Sequence, residues 1–221
     1  MVKLLIVSVL LLVVTNLSFS AEAKSPERTL IPGLDYVKIQ DGKPLEAANG
    51  KIVVEEFFNY ACPVCDNFEP WFAPWVAKQP SWVKVVHVPA AFRSDFLPYA
   101  KAFYAAQALG LIDKTHEAVY DAIHLTHKLP GEGMRIDDKS IASFYAQYGV
   151  SAKTFLAEMQ SAAVAGAVHR ATEHLKQSKV MGTPSLLIDG RYLVRGRNFP
   201  DMLWIASALI EKEHQRLTAS R

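Results

Sequence analysis

Every thiol in this chain lies in one four-residue segment, Cys62-Pro63-Val64-Cys65. A bridge across two intervening residues closes too small a loop to remove much entropy from the unfolded chain, so the pair is a poor staple. The segment follows the strongest strand signal in the sequence, Lys51 to Tyr60, which is rich in β-branched and aromatic residues and starts after Asn49-Gly50. Beyond it Val64, Phe68, Phe72 and Trp75 recur at helical spacing. The local order is therefore strand, cysteine pair, helix. Phe68, Phe72 and Trp75 are expected in the core, and Trp71, off that stripe, on the surface.

A chain of 221 residues, half of them hydrophobic, can bury a core without cross-links. Its 24 Lys and Arg against 22 Asp and Glu, with no run of like charge, exclude a dedicated nucleic-acid surface, because phosphate binding needs clustered cations. Met1-Val2-Lys3, the apolar run Leu4 to Val14 and the small-residue ending Ser20-Ala21-Glu22-Ala23 fit a secretory signal peptide over residues 1–23. Cleavage is expected after Ala23, with Ser20 as the rival site. The apolar run falls short of the ~20 residues that span a bilayer, so no stable membrane insertion is expected after cleavage. Export puts the cysteines in an oxidising compartment, where distant pairs usually form a framework. Here no other cysteine competes for pairing.

Tyr36 to Ile39 reads as an edge strand and Val83 to Val88 as a further strand, ended by Pro89. From about Leu97 to Ser178 the pattern turns helical, with Ala-rich amphipathic stretches over Ala100–Leu109, His116–His127, Ile141–Tyr148 and Ala152–Gln177. Ser185–Ile188 and Tyr192–Val194 bracket Asp189-Gly190, a hairpin signal of type I′. A last helix is expected from about Pro200 to Gln215. An exported C-x-x-C after a strand is the thioredoxin-like redox pattern.

Three segments carry a more specific likeness. They are Val54-Glu55-Glu56-Phe57-Phe58-Asn59-Tyr60-Ala61-Cys62-Pro63-Val64-Cys65, Ala100-Lys101-Ala102-Phe103-Tyr104-Ala105-Ala106 and Val180-Met181-Gly182-Thr183-Pro184-Ser185. Together the chain resembles the bacterial periplasmic DsbA family of thiol:disulfide interchange proteins. The resemblance implies an α/β architecture, a thioredoxin fold interrupted by an inserted helical subdomain. Residues 24–95 and 179–221 would form the thioredoxin-like domain and 96–178 the insertion. It further implies a periplasmic location and donation of the Cys62–Cys65 disulfide to reduced, unfolded exported proteins. A DsbB-like membrane oxidase would reoxidise the pair. No cofactor and no metal are expected: His124 with His127, or His169 with His174, fit no compact zinc site with Cys65.

Cys62 falls at a helix start, where unpaired N–H groups and the macrodipole favour an anion, and Pro63 suits the first turn. Cys62 is therefore the expected exposed, attacked sulfur, and Cys65, a turn further in, the shielded resolving one. By resemblance Pro184 is cis and lies against the pair, and Glu56 is a buried acid that relays a proton to Cys65. Glu55 and Glu56 are neighbours on one strand and point to opposite faces. Pro63, Val64 and Thr183 are expected to touch bound substrate. Val64 stands where histidine is common in the family and supplies neither charge nor donor, so a weaker oxidant is expected. Thr183 stands where valine is usual in the best-known members, which keeps a disulfide isomerase or reductase in view. A peptide-binding chaperone with incidental cysteines is the alternative from another class.

Overall fold

A computed structural model describes residues 28–219, so the expected signal segment lies outside the described residues. The strands are β1 (Tyr36–Lys38), β2 (Ile52–Phe58), β3 (Val83–Pro89), β4 (Ser185–Ile188) and β5 (Tyr192–Val194). They form one sheet in the order β1-β5-β4-β2-β3. β2 and β3 are parallel, which demands a crossover, and the helix α1 (Pro63–Val76) supplies it. The other pairings are antiparallel. Asp189 and Gly190, with φ of 51° and 67°, are the two left-handed residues that a type I′ hairpin between β4 and β5 needs.

Every residue of β2 is buried, because helices cover both of its faces. Ile52 and Val54 pack with Phe68 and Phe72 of α1 and with Leu203 and Leu209 of α7 (Phe199–Ala219). Val53 and Phe57 face the other way, under Ala171 and Leu175 of α6 (Ala162–Gln177). The two glutamates follow this alternation, and both are buried. Glu55 Oε1 accepts the Leu45 N–H at 2.7 Å and lies 2.9 Å from His174 Nε2 of α6. Glu56 points to the α1 side and meets His87 of β3.

Between β3 and β4 run α2 (Leu97–Ala108), α3 (Ile112–Tyr120), α4 (Asp138–Tyr145), α5 (Ala152–Met159) and α6. The structure corrects several boundaries. The stretch Ala152–Gln177 is two helices, since Ser161 caps α6 by accepting the Val164 N–H at 3.1 Å, as Ser151 caps α5 through Thr154 N–H at 3.0 Å. The stretch expected over His116–His127 begins at Ile112, and after Tyr120 it widens into a π-helical turn, Asp121–Leu125. The final helix runs to Ala219. Phe68 and Phe72 are core, but Trp75 is half-buried at the edge, where its Nε1 donates to Ser207 Oγ at 2.9 Å.

The inserted helices share a core with the cysteines. Phe103, Tyr120 and Ile141 belong to the same buried cluster as Phe58, Tyr60, Cys62 and Cys65. The cysteine pair thus sits on the seam where the sheet meets the helices. Among the described residues no helix is long and apolar enough to cross a membrane.

Candidate active site

Asn59, buried at the end of β2, holds the strand-to-helix turn. Its Oδ1 accepts the Ala61 N–H at 3.0 Å and its Nδ2 donates to Ala90 O at 2.8 Å and Phe96 O at 3.1 Å. Its backbone oxygen accepts the Cys62 N–H at 3.0 Å. Cys62 then takes the N-cap position with extended backbone, φ −79° and ψ 113°, and Pro63 occupies the first turn, where no N–H is needed. Across from this turn the Thr183-Pro184 peptide is cis, and Cys62 Sγ lies 3.6 Å from Thr183 O. Both cysteines carry free thiols.

The two sulfurs are electrostatically split. The Cys62 thiol is lowered to about 6, chiefly because the Cys65 side chain hydrogen-bonds to the thiolate. Burial opposes this, while the Thr183 side chain and the N–H groups of Cys65 and Val64 add to it. At pH 7 such a group is roughly 90% ionised. Burial pushes Cys65 well above the ordinary thiol range, and its hydrogen bond to Cys62 works in the same direction. Cys62 is less open than expected, at 6% exposed against 0% for Cys65. It is packed into the buried cluster at the seam and lies against Thr183, so a partner reaches little more than the sulfur's edge.

This split predicts a pH dependence of stability. A thiol held at about 6 when folded and at its ordinary 9.0 when unfolded stabilises the reduced fold fully above the higher value. The contribution disappears as pH falls through the lower one. About one unit is in play at pH 7, or ~1.4 kcal/mol. Urea unfolding of the reduced protein, minus that of Cys62→Ser, should therefore rise by ~1.4 kcal/mol between about pH 5 and about pH 7. Cys65 is silent there, because it stays protonated in both states. A flat difference would contradict the low Cys62 value.

The other expected site residues differ in exposure. Pro63 is exposed, Val64 is half-exposed and Met181 is 90% exposed, so apolar surface rims the opening. A cavity of about 280 Å³ lies along Met181, Thr183, Pro184 and Ser185. A second, of about 700 Å³, starts at Ala61 and Pro63 and continues past His124, Lys128 and Met134. An extended peptide has room on either side of Cys62. Glu56 is fully buried, its Oε2 2.6 Å from His87 Nδ1. Burial raises its carboxyl above the usual range, against the pull of the His87 hydrogen bond.

Several neighbours escaped the sequence reading. Arg93, paired with Asp95 at 2.7 Å and Glu132 at 2.5 Å, lies within electrostatic reach of the Cys62 thiolate. Tyr60 Oη and His116 Nδ1 are 2.9 Å apart, and His116 Nε2 is 3.6 Å from Glu69 Oε1. His116 stacks toward His87 with ring centroids at 4.7 Å. These contacts join α1, α3, β3 and the turn before the cysteines, which no local spacing announces. His87 alone had a legible signal: once β2 and β3 pair in parallel, it stands directly opposite Glu56.

A low thiol beside a high one, at a helix start and against a cis-proline, is equipped for dithiol–disulfide exchange. The known proteins most informative here agree. The sequence profile of the DSBA-like thioredoxin domain matches residues 53–206. The thiol:disulfide interchange protein DsbA of Burkholderia cepacia is 37% identical over 160 residues, 72% of this chain and 73% of that protein. The DsbA of Pseudomonas syringae pv. tomato is 34% identical over 221 residues, covering 98% and 99% of the two chains. The crystal structure of the oxidoreductase DsbA from Xylella fastidiosa superposes with a TM-score of 0.80 at 35% identity, covering 84% of this chain and 98% of that one. The chain belongs to the DsbA family of thioredoxin-like proteins and is a thiol:disulfide oxidoreductase.

Proposed function

We propose that this oxidoreductase works as an oxidase, passing its Cys62–Cys65 disulfide to newly exported proteins. One observation carries the direction: the reduced site holds Cys62 as a thiolate at about 6. Whatever stabilises the reduced form makes the disulfide a better electron acceptor. At pH 7 the stabilisation is ~1.4 kcal/mol, equivalent to ~30 mV for a two-electron couple. That modest size agrees with Val64, which adds no charge. The Thr183 side chain supplies part of what the missing histidine does not.

In this reading a substrate thiolate attacks Cys62, the less buried sulfur, and Cys65 is the leaving group. The substrate's second thiol then displaces Cys62. Thr183 and Pro184 present the backbone against which an extended substrate pairs, while Pro63 and Val64 contact its side chains. Glu56 gives Cys65 its proton on opening and takes it back on closing. Residues 1–23 direct the chain to the periplasm and are removed, residues 96–178 act as the insertion of a thioredoxin-like domain, and a DsbB-like membrane oxidase restores the disulfide.

The test is the reduction potential, set by equilibrating the protein with glutathione mixtures, joined to oxidation of a reduced substrate and refolding of a scrambled one. We expect a potential clearly above the ≈ −270 mV of thioredoxin and rapid substrate oxidation. A value near that of thioredoxin would replace the oxidase with a reductase or isomerase, the reading that Thr183 favours.

A further inference from the structure

We propose that His87 is the residue through which the buried acid Glu56 exchanges its proton with solvent, so that Cys65 is served by a relay running from a surface cleft through His87 and Glu56. The inference rests on the Glu56 relay proposed above and adds the route by which that acid is reloaded.

Neither Cys65 nor Glu56 has any solvent exposure, so a proton reaching Cys65 must cross protein. His87 links the two environments. Its Nδ1 is 2.6 Å from Glu56 Oε2, and its side chain is 27% exposed. The exposed part lines a cleft of about 250 Å³ with Glu46, Lys84, Gln107 and Asp113. The other carboxyl oxygen, Glu56 Oε1, is buried with no hydrogen-bond partner among the described residues. One oxygen is thus held by the histidine and the other is free to give or take a proton. The Tyr120 hydroxyl, also buried without such a partner, lies within electrostatic reach of both Cys65 and Glu56 and adds a polar group to the inner end.

Inside the protein, His87 is walled by Phe58, Phe72 and Phe103 and by the His116 ring. The charged and titratable groups facing it are Glu56 from β2, Glu69 from α1, His116 and Asp113 from α3, Lys84 from its own strand and Glu46 from the preceding loop. Burial alone would lower His87, but the Glu56 hydrogen bond and the charges of Glu56 and Glu69 raise it instead. Its imidazole can therefore take a proton from the cleft and hand it to Glu56.

An incoming thiolate forms a bond to Cys62 Sγ, the Cys62–Cys65 bond breaks, and its electron pair leaves on Cys65 Sγ. That thiolate takes the proton of neutral Glu56. His87, neutral while Glu56 holds its proton, takes a proton from water in the cleft and passes it through Nδ1 to the resulting carboxylate. Closing the disulfide runs the same transfers backwards. His87 acts through Glu56 and is a positioning and relay residue, not one that touches the reacting sulfurs.

The experiment follows the opening of the oxidised protein by dithiothreitol, with acid quench and mass-tagging of free thiols. Rates are expressed as a ratio to wild type so that the reductant's own ionisation cancels. In His87→Gln, whose amide keeps a hydrogen bond to Glu56, we expect about a tenfold deficit at low pH that closes as pH rises through the histidine range. In His87→Ala, added imidazole should restore the rate. A His87→Gln protein at the wild-type rate, or with a deficit equal at every pH, would overturn the proposal, as a purely structural role gives no pH signature. Glu56→Gln separates the two readings. If it is slow while His87→Gln is normal, only the His87 route fails; if it is normal, the Glu56 relay and this route fail together.

Discussion

Cys62→Ser loses disulfide exchange down to background, whereas Cys65→Ser becomes a trap that accumulates covalent adducts with its substrates. The difference follows from the split site. Cys62 presents a thiolate at about 6 and is the less buried sulfur of the pair, so it is where a mixed disulfide is expected to form. Cys65 is fully buried and held as a thiol, so no bulky partner reaches it, and its task is to displace the partner from Cys62. Without that resolving thiol the adduct persists. Intact-mass measurement after mixing each reduced variant with the symmetric disulfide of a one-cysteine peptide, whose leaving thiol is not tethered to the adduct, decides the matter. Adducts in the Cys62→Ser protein would reverse the assignment, and wild-type substrate folding by that variant would favour a chaperone whose cysteines are incidental.

Phe58→Ala should lower the unfolding free energy by ~3–5 kcal/mol, the cost of a large cavity in a well-packed site. Few positions are as confined. The ring is fully buried and meets Tyr60 at 5.1 Å, Phe103 at 5.3 Å and His116 at 5.4 Å in edge-on contacts. It also touches His87 and Tyr120. These partners come from β3, α2, α3 and the turn before the cysteines, so truncation loosens the seam on which the site is built. Against a typical stability of about 5–15 kcal/mol the loss is a large share. Leu125→Ala, at an exposed position, should stay within ~0.5 kcal/mol. Urea unfolding of the two reduced variants checks both numbers, and a loss under about 1 kcal/mol for Phe58→Ala would mean the seam repacks.

Where the sequence reading succeeded, the signal was local and chemically specific. The β-branched run ending at the cysteine pair marked β2, and the Asp189-Gly190 pair marked the hairpin with both left-handed residues in place. Where the structure departs from the periodic pattern, a weak local cue outweighs it. Ser161 sits inside an Ala-rich stretch whose helical pattern continues on both sides, yet its side chain caps a new helix. Trp75 keeps helical spacing with Phe68 and Phe72 but lies at the end of α1, where the stripe leaves the core. The alternation of Glu55 and Glu56 was legible, but only the covering helices explain why both are buried, each against its own histidine.

By itself the sequence determined where the two cysteines lie, their place at a helix start and the thioredoxin-like order of elements around them. Those properties rest on neighbours within a few residues, and a helix N-terminus favours a thiolate wherever the helix is put. The tertiary structure alone decided how that thiolate is sustained. The Thr183 side chain adds to that stabilisation from 121 residues away along the chain, His87 meets Glu56 only because β2 and β3 pair in parallel, and the inserted helices close over the second sulfur. The physical reason is that low solvent access makes each of these contacts matter. A buried thiol and a buried acid take their proton affinities from whatever the fold packs beside them, and that list is written in space rather than along the chain.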